Sequence, residues 1–179
     1  VDEFVAKFKV AIQNLKTGNP LDKETQIGSL ARVDLAKELE VQVQKSIQMG
    51  AKLIVGGNRK EAFYEPTILT NVTTEMPVFK EETFGPVAAI ITFKTIEEAI
   101  KLSNQSEFGL GVTIFTQDID FIKTKISAFN EGAVFINEMV KSDPRLPFGG
   151  IKKSGYGREL AEDGIKEFVN VKTVVINIL

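Results

Sequence analysis

From Val87 onward the chain alternates short apolar runs with amphipathic stretches, and this alternation restricts its fold more than any other feature. Val87 to Phe93 is a continuous apolar run, as expected of a strand buried on both faces. Thr95 to Ser103 has helical spacing, and Thr95 with Glu98 stands at capping-box distance. Gly111 to Phe115 reads as a strand, Ile119 to Phe129 as a helix and Ala133 to Ile136 as a strand. The order is β-α-β-α-β, which implies an α/β fold with a doubly wound parallel sheet. Such sheets bind ligands outside the carboxyl ends of their strands. The loop from Asn137 to Gly150 starts at one such end and is the first place to look for a site.

The flanking segments are simpler. Residues 1–16 carry Phe4, Phe8, Ile12 and Leu15 at helical spacing, and Gly18-Asn19-Pro20 ends the pattern. Residues 21–30 are polar and loop-like. A second helix spans 32–49, with Leu35, Leu39, Val43 and Ile47 on one stripe and Gly50 as its C-cap. Leu53-Ile54-Val55 forms a short strand, and Pro66 to Val72 is extended. A last helix covers Arg158 to Phe168, and the β-branched segment 169–179 closes the chain. No linker, repeat or low-complexity tract divides these elements, so one compact unit is expected.

Composition narrows the chemistry. The 179 residues include no cysteine and no histidine. This chain therefore offers no thiol nucleophile, disulfide, thiolate metal site, histidine general base or hydrolase triad. Asp, Glu, Lys and Tyr remain for acid–base work. A net charge of -2 leaves no basic footprint for nucleic acid. The 43% apolar content is that of a globular chain. No apolar stretch reaches the length of a membrane span, and the N-terminus lacks a signal-peptide pattern.

Four segments carry candidate chemistry, each with two readings. Gly149, Gly150, Gly155 and Gly157 precede a predicted helix and either cradle a phosphate or make tight turns. Their spacing matches neither the dinucleotide fingerprint nor the P-loop, which favours turns. In Glu81-Glu82, one carboxylate could accept hydrogen bonds from a ribose diol, or both lie in an exposed turn. Phe84 is either a core aromatic or a stacking platform. The loop Glu138–Leu146, with Lys141, Ser142 and Arg145, either holds a carboxylate substrate or is an ordinary solvated loop.

The runs Lys80-Glu81-Glu82-Thr83-Phe84-Gly85-Pro86-Val87 and Pro147-Phe148-Gly149-Gly150-Ile151-Lys152-Lys153-Ser154-Gly155-Tyr156-Gly157-Arg158-Glu159 resemble the C-terminal part of aldehyde dehydrogenases. Gly18-Asn19-Pro20-Leu21 with Ile27-Gly28, Glu65-Pro66-Thr67, Phe108-Gly109-Leu110 and Ala133 to Asn137 extend the resemblance along the chain. Ser29 departs from it, standing where the family has proline. Arg32 to Val43 and the loop at Ser142 look most like succinate-semialdehyde dehydrogenases.

The resemblance implies roles residue by residue. Glu82 matches the carboxylate that holds the nicotinamide ribose, and Phe84 and Leu110 match apolar residues beside the nicotinamide. Phe148 matches an aromatic near the aldehyde pocket, and Ser142 a hydroxyl that helps hold a distal carboxylate. Residues 1–168 match the C-terminal part of the catalytic domain, and 169–179 the strand used in oligomerisation. The implied parent uses NAD or NADP, acts on a small aldehyde in the cytoplasm without metal, membrane or nucleic acid, and forms a homo-oligomer. Its mechanism is thiolate attack on the aldehyde, hydride transfer to NAD(P) and thioester hydrolysis. In the family, the cysteine, the glutamate base and the cofactor domain lie earlier than the matched segment. The expectation is thus an inactive portion whose activity needs a separate N-terminal portion. Two alternatives are a stand-alone remnant that dimerises or binds a partner, and an unrelated phosphate binder.

Overall fold

Apolar residues at helical spacing dock the segment 33–48 against a small sheet in a computed structural model that describes residues 1–178. The chain divides into two compact units, Val1–Thr95 and Ile96–Leu179, where the sequence suggested one.

The first unit begins with α1, Asp2–Gln13, none of whose residues is buried. Helix α2, Val33–Gln48, buries Ala36, Leu39, Val43 and Ser46. Gly50 follows its end with φ at +110°, a conformation that favours glycine. Strand β1 (Lys52–Val55), the short pair β2 (Arg59–Lys60) and β3 (Phe63–Tyr64), and β4 (Thr67–Thr70) come next. A single helical turn, α3 (Pro77–Lys80), precedes β5 (Val87–Ala89). The sheet order is β1-β4-β5, with β4 antiparallel to β1 and parallel to β5. Leu39, Val43, Tyr64, Leu69, Met76 and Val78 form the core. Ser46 Oγ donates to the Gln42 carbonyl at 2.8 Å and accepts from Val78 N–H at 3.3 Å, tying α2 to α3.

The second unit contains α4 (Ile96–Gln105), β6 (Phe108–Gly109), β7 (Val112–Ile114), α5 (Ile119–Lys123), β8 (Val134–Ile136), β9 (Ile151–Lys152) and α6 (Ala161–Lys166). Strands β7 and β8 pair in parallel across α5, forming a β-α-β unit. Strands β6 and β9 form a separate antiparallel pair. Its buried apolar side chains are Ile122 and Phe129.

Several expectations change. The described residues form a mixed α/β arrangement, with a three-stranded mixed sheet in the first unit and two-stranded pairs in the second. The expected 87–93 strand ends at Ala89 and is half-buried, because its partner β4 has only four residues. The 119–129 helix stops at Lys123, where Thr124 Oγ1 donates to the Phe121 carbonyl at 2.7 Å. That bond competes with the helical ladder. The 158–168 helix starts only at Ala161. Glu159 exchanges two backbone hydrogen bonds with Phe148, at 2.7 and 2.8 Å, and Leu160 takes φ of 65°. Residues 169–178 have no helix or strand and leave Val171, Val175 and Ile178 exposed. A strand exists only where it pairs with a neighbouring edge, and none of the described strands pairs with this segment.

Candidate functional site

In the first unit the turn 81–86 is pressed onto α2. Gln42 Nε2 donates to the Glu81 carboxylate at 3.0 Å and to the Glu82 carbonyl at 3.3 Å. A Cβ on Gly85 would stand 2.4 Å from Leu39 Cδ2, so only glycine lets the turn approach so closely. Thr67 N–H donates to the Pro86 carbonyl at 2.9 Å and joins the turn to β4. The two adjacent glutamates are thereby separated in role. Glu81 is tethered, whereas the exposed Glu82 carboxylate has no hydrogen bond or ion pair with the described residues. Phe84 is 78% exposed, which excludes the core reading. A free carboxylate beside an open aromatic ring fits a ribose diol and a flat heterocycle.

In the second unit Leu110 and Phe148 line one cavity of about 470 Å³, together with Gly149, Tyr156, Arg158 and Phe168. The Arg158 guanidinium donates to the carbonyls of Gly157 at 2.7 Å and Gly150 at 3.1 Å. A Cβ on Gly132 would lie 1.9 Å from the Gly149 carbonyl oxygen. Within the glycine block, a Cβ on Gly149 would lie 2.7 Å from the Gly157 carbonyl oxygen, while Gly155 and Gly157 take φ of 133° and 75° in turns. The six-residue α6 behind it begins too late to aim its dipole there.

Ser142 is exposed in the loop after β8. The two cations of that loop are neutralised nearby. Lys141 pairs with Glu138 at 3.2 Å and Arg145 with Asp143 at 2.6 Å. The Arg145 side chain, then its backbone N–H, holds the Asp143 carboxyl well below the usual carboxylate range. Lys141, followed by the Met139 N–H, lowers that of Glu138. A substrate carboxylate would meet the Ser142 hydroxyl in a charge-balanced loop, without a free cation from Lys141 or Arg145.

Two residues that shape these regions were not singled out from sequence. Asn137 has φ of 54° and brackets Thr116 with its side-chain amide. An asparagine ending an apolar run was the available signal, since asparagine tolerates this conformation. Gln42 reaches a turn 39 residues away, and nothing local marks it. Among the described residues no cluster of His, Cys, Asp or Glu could hold a metal, and no helix is long and apolar enough to cross a membrane.

The profile of the Aldehyde dehydrogenase family matches residues 1–174. A succinate semialdehyde dehydrogenase [NAD(P)+] of Escherichia coli is 48% identical over 174 residues, covering 96% of this chain and 38% of that protein. A probable succinate-semialdehyde dehydrogenase [NADP(+)] of Synechocystis is 46% identical over 178 residues, covering 98% and 39%. Among solved structures, succinic semialdehyde dehydrogenase from Streptococcus pyogenes, in complex with NADP+, superposes with a TM-score of 0.91 at 37% identity, covering 98% of this chain and 39% of that one. Aldehyde dehydrogenase 21 from Physcomitrella patens, in complex with the reaction product succinate, has a TM-score of 0.92 at 34% identity, covering 98% and 37%. The chain thus spans less than two-fifths of the length of these relatives.

Proposed function

Because this chain belongs to the aldehyde dehydrogenase family, we propose that it forms the C-terminal part of an NAD(P)-dependent succinate-semialdehyde dehydrogenase, which oxidises that aldehyde to succinate. The observation carrying this reading is the similarity to succinate-semialdehyde dehydrogenases over nearly the whole chain. The β-α-β unit of β7, α5 and β8 supports placing the parent among doubly wound α/β enzymes.

Within that enzyme the chain holds and shields the reactants. Glu82, which no neighbour occupies, accepts hydrogen bonds from the nicotinamide ribose hydroxyls. We assign Phe84 and Leu110, each within its own unit, the apolar contacts to the nicotinamide that the family resemblance implies. When bound, NAD(P) supplies the hydride acceptor. Phe148 walls the aldehyde pocket, and the Ser142 hydroxyl donates a hydrogen bond to the distal carboxylate. Having no cysteine, the chain leaves the nucleophile to the rest of the parent. We assign the parent to the cytoplasm, as a homo-oligomer in which residues 169–179 extend a neighbour's sheet. The exposed valines of that segment support this assignment.

The test compares the complete parent with this chain alone, each given succinate semialdehyde and NAD+ or NADP+. The parent should form NAD(P)H, and the chain alone should form none above a protein-free blank. A parent that oxidises other aldehydes but leaves succinate semialdehyde untouched would sink the substrate reading. The exposed tail favours a second reading, a dimerising remnant without activity. A native protein with an intact mass near 19.7 kDa and no N-terminal partner would select it.

A further inference from the structure

We infer that Asn137 is a positioning residue that aims the 138–146 loop, and with it Ser142, from the carboxyl end of the parallel β7·β8 pair. The inference rests on the succinate-semialdehyde reading above and adds a residue to it. Backbone pairing of the two strands ends where Asn137 N–H donates to the Ile114 carbonyl at 2.9 Å. One further rung is then made by a side chain. Asn137 Oδ1 accepts from Thr116 N–H at 2.8 Å, and Asn137 Nδ2 donates to the Thr116 carbonyl at 2.8 Å. The side-chain amide thus imitates a peptide group and extends the ladder past the last strand residue.

That rung frees the backbone of Asn137 to turn. Its φ of 54° swings the chain out of β8 into the loop, a conformation asparagine adopts more readily than most non-glycine residues. The opposite anchor is also fixed. Thr116 Oγ1 accepts from Asp118 N–H at 3.1 Å, and the Asp118 carboxylate caps α5 by accepting from Phe121 N–H at 3.0 Å. The loop's starting direction is therefore set by a continuous series of bonds from α5 through Thr116 to Asn137. Ser142, five positions on, makes no hydrogen bond of its own among the described residues. Its placement depends on where the loop starts, on the two local ion pairs and on the far anchor, where Ala161 N–H donates to the Pro144 carbonyl at 3.2 Å.

The experiment uses the complete parent enzyme with Asn137→Gly, which permits the turn but removes both side-chain bonds, and Asn137→Asp, which keeps the acceptor and loses the donor. KM and kcat are measured for succinate semialdehyde and for butanal, which lacks the distal carboxylate, with hydrogen exchange across 138–146. Asn137→Gly should raise KM for succinate semialdehyde about tenfold, within reach of two lost hydrogen bonds. It should leave kcat and the butanal KM within about twofold and speed exchange in the loop. Asn137→Asp should raise the same KM about threefold, and it decides the matter if the glycine variant does not fold. An unchanged KM for succinate semialdehyde in a folded variant overturns the inference, as does an equal rise for both aldehydes. A wild-type parent that ignores succinate semialdehyde while oxidising butanal refutes the functional reading instead, and the loop exchange then reports on Asn137 alone.

Discussion

Gly85→Ala tests whether contact with α2 sets the turn that presents Glu82 and Phe84. A Cβ at position 85 would stand 2.4 Å from Leu39 Cδ2 and 3.5 Å from Leu30 Cδ2. Carbon atoms pack at about 3.5–4.0 Å, so the methyl overlaps Leu39 by roughly 1 Å. Leu39 is 2% exposed within the core and has little room to yield. The φ of Gly85 lies outside the left-handed region, so the penalty is steric. Overpacking of this kind costs about 1–3 kcal/mol. Leu39→Ala alone should cost about 2–5 kcal/mol, yet it empties the space the new methyl needs. The double variant should therefore be less destabilised than the sum of the singles, by about 1–3 kcal/mol. Urea unfolding of the chain and its three variants measures this, provided the m-values agree. Additivity within about 0.5 kcal/mol would refute the steric account, because a backbone effect would persist whatever occupies position 39.

Three further outcomes are expected. Tyr64 is fully buried, its hydroxyl has no partner, and burial, then Glu40 and Glu65, pushes its pKa up to about 12. The unfolded phenol ionises near pH 10, so stability is complete below that and falls by up to about 3 kcal/mol as pH rises to 12; Tyr64→Phe should abolish this decline, and a decline equal to wild type in alkaline melts would contradict the assignment. Glu82→Gln in the parent should raise the KM for NAD(P) about tenfold, as expected for losing charge-assisted bonds, whereas Glu81→Gln should leave it near wild type; equal effects in steady-state kinetics would overturn the division between the two glutamates. Gly132→Ala places a Cβ 1.9 Å from the Gly149 carbonyl oxygen and should destabilise the chain by about 3 kcal/mol, the upper end of overpacking costs, and a thermal midpoint unchanged from wild type would show that the backbone there yields.

Local periodicity made much of the architecture legible. The stripe of Leu35, Leu39, Val43 and Ile47 is written at helical spacing, and α2 forms within a residue of its expected ends. The β7-α5-β8 unit follows because each element carries its own period and the helix between the strands permits parallel pairing. The family resemblance was equally legible, since the motifs stand in order along the chain. Absence of cysteine and histidine, a matter of composition, limited what this chain can do by itself.

Only the tertiary structure decided which groups are available. It tethered Glu81 through Gln42 and left Glu82 free, and it turned Phe84 outward while Phe148 stayed half-buried. It delayed α6 by pairing Glu159 with Phe148, and it bracketed Thr116 with Asn137. These outcomes come from partners 11 to 39 residues apart. Helical and strand periods record interactions between residues a few positions apart, so they carry no signal for such pairings. Which side chain stays free depends on the distant group that reaches it first, and folding alone brings that group near.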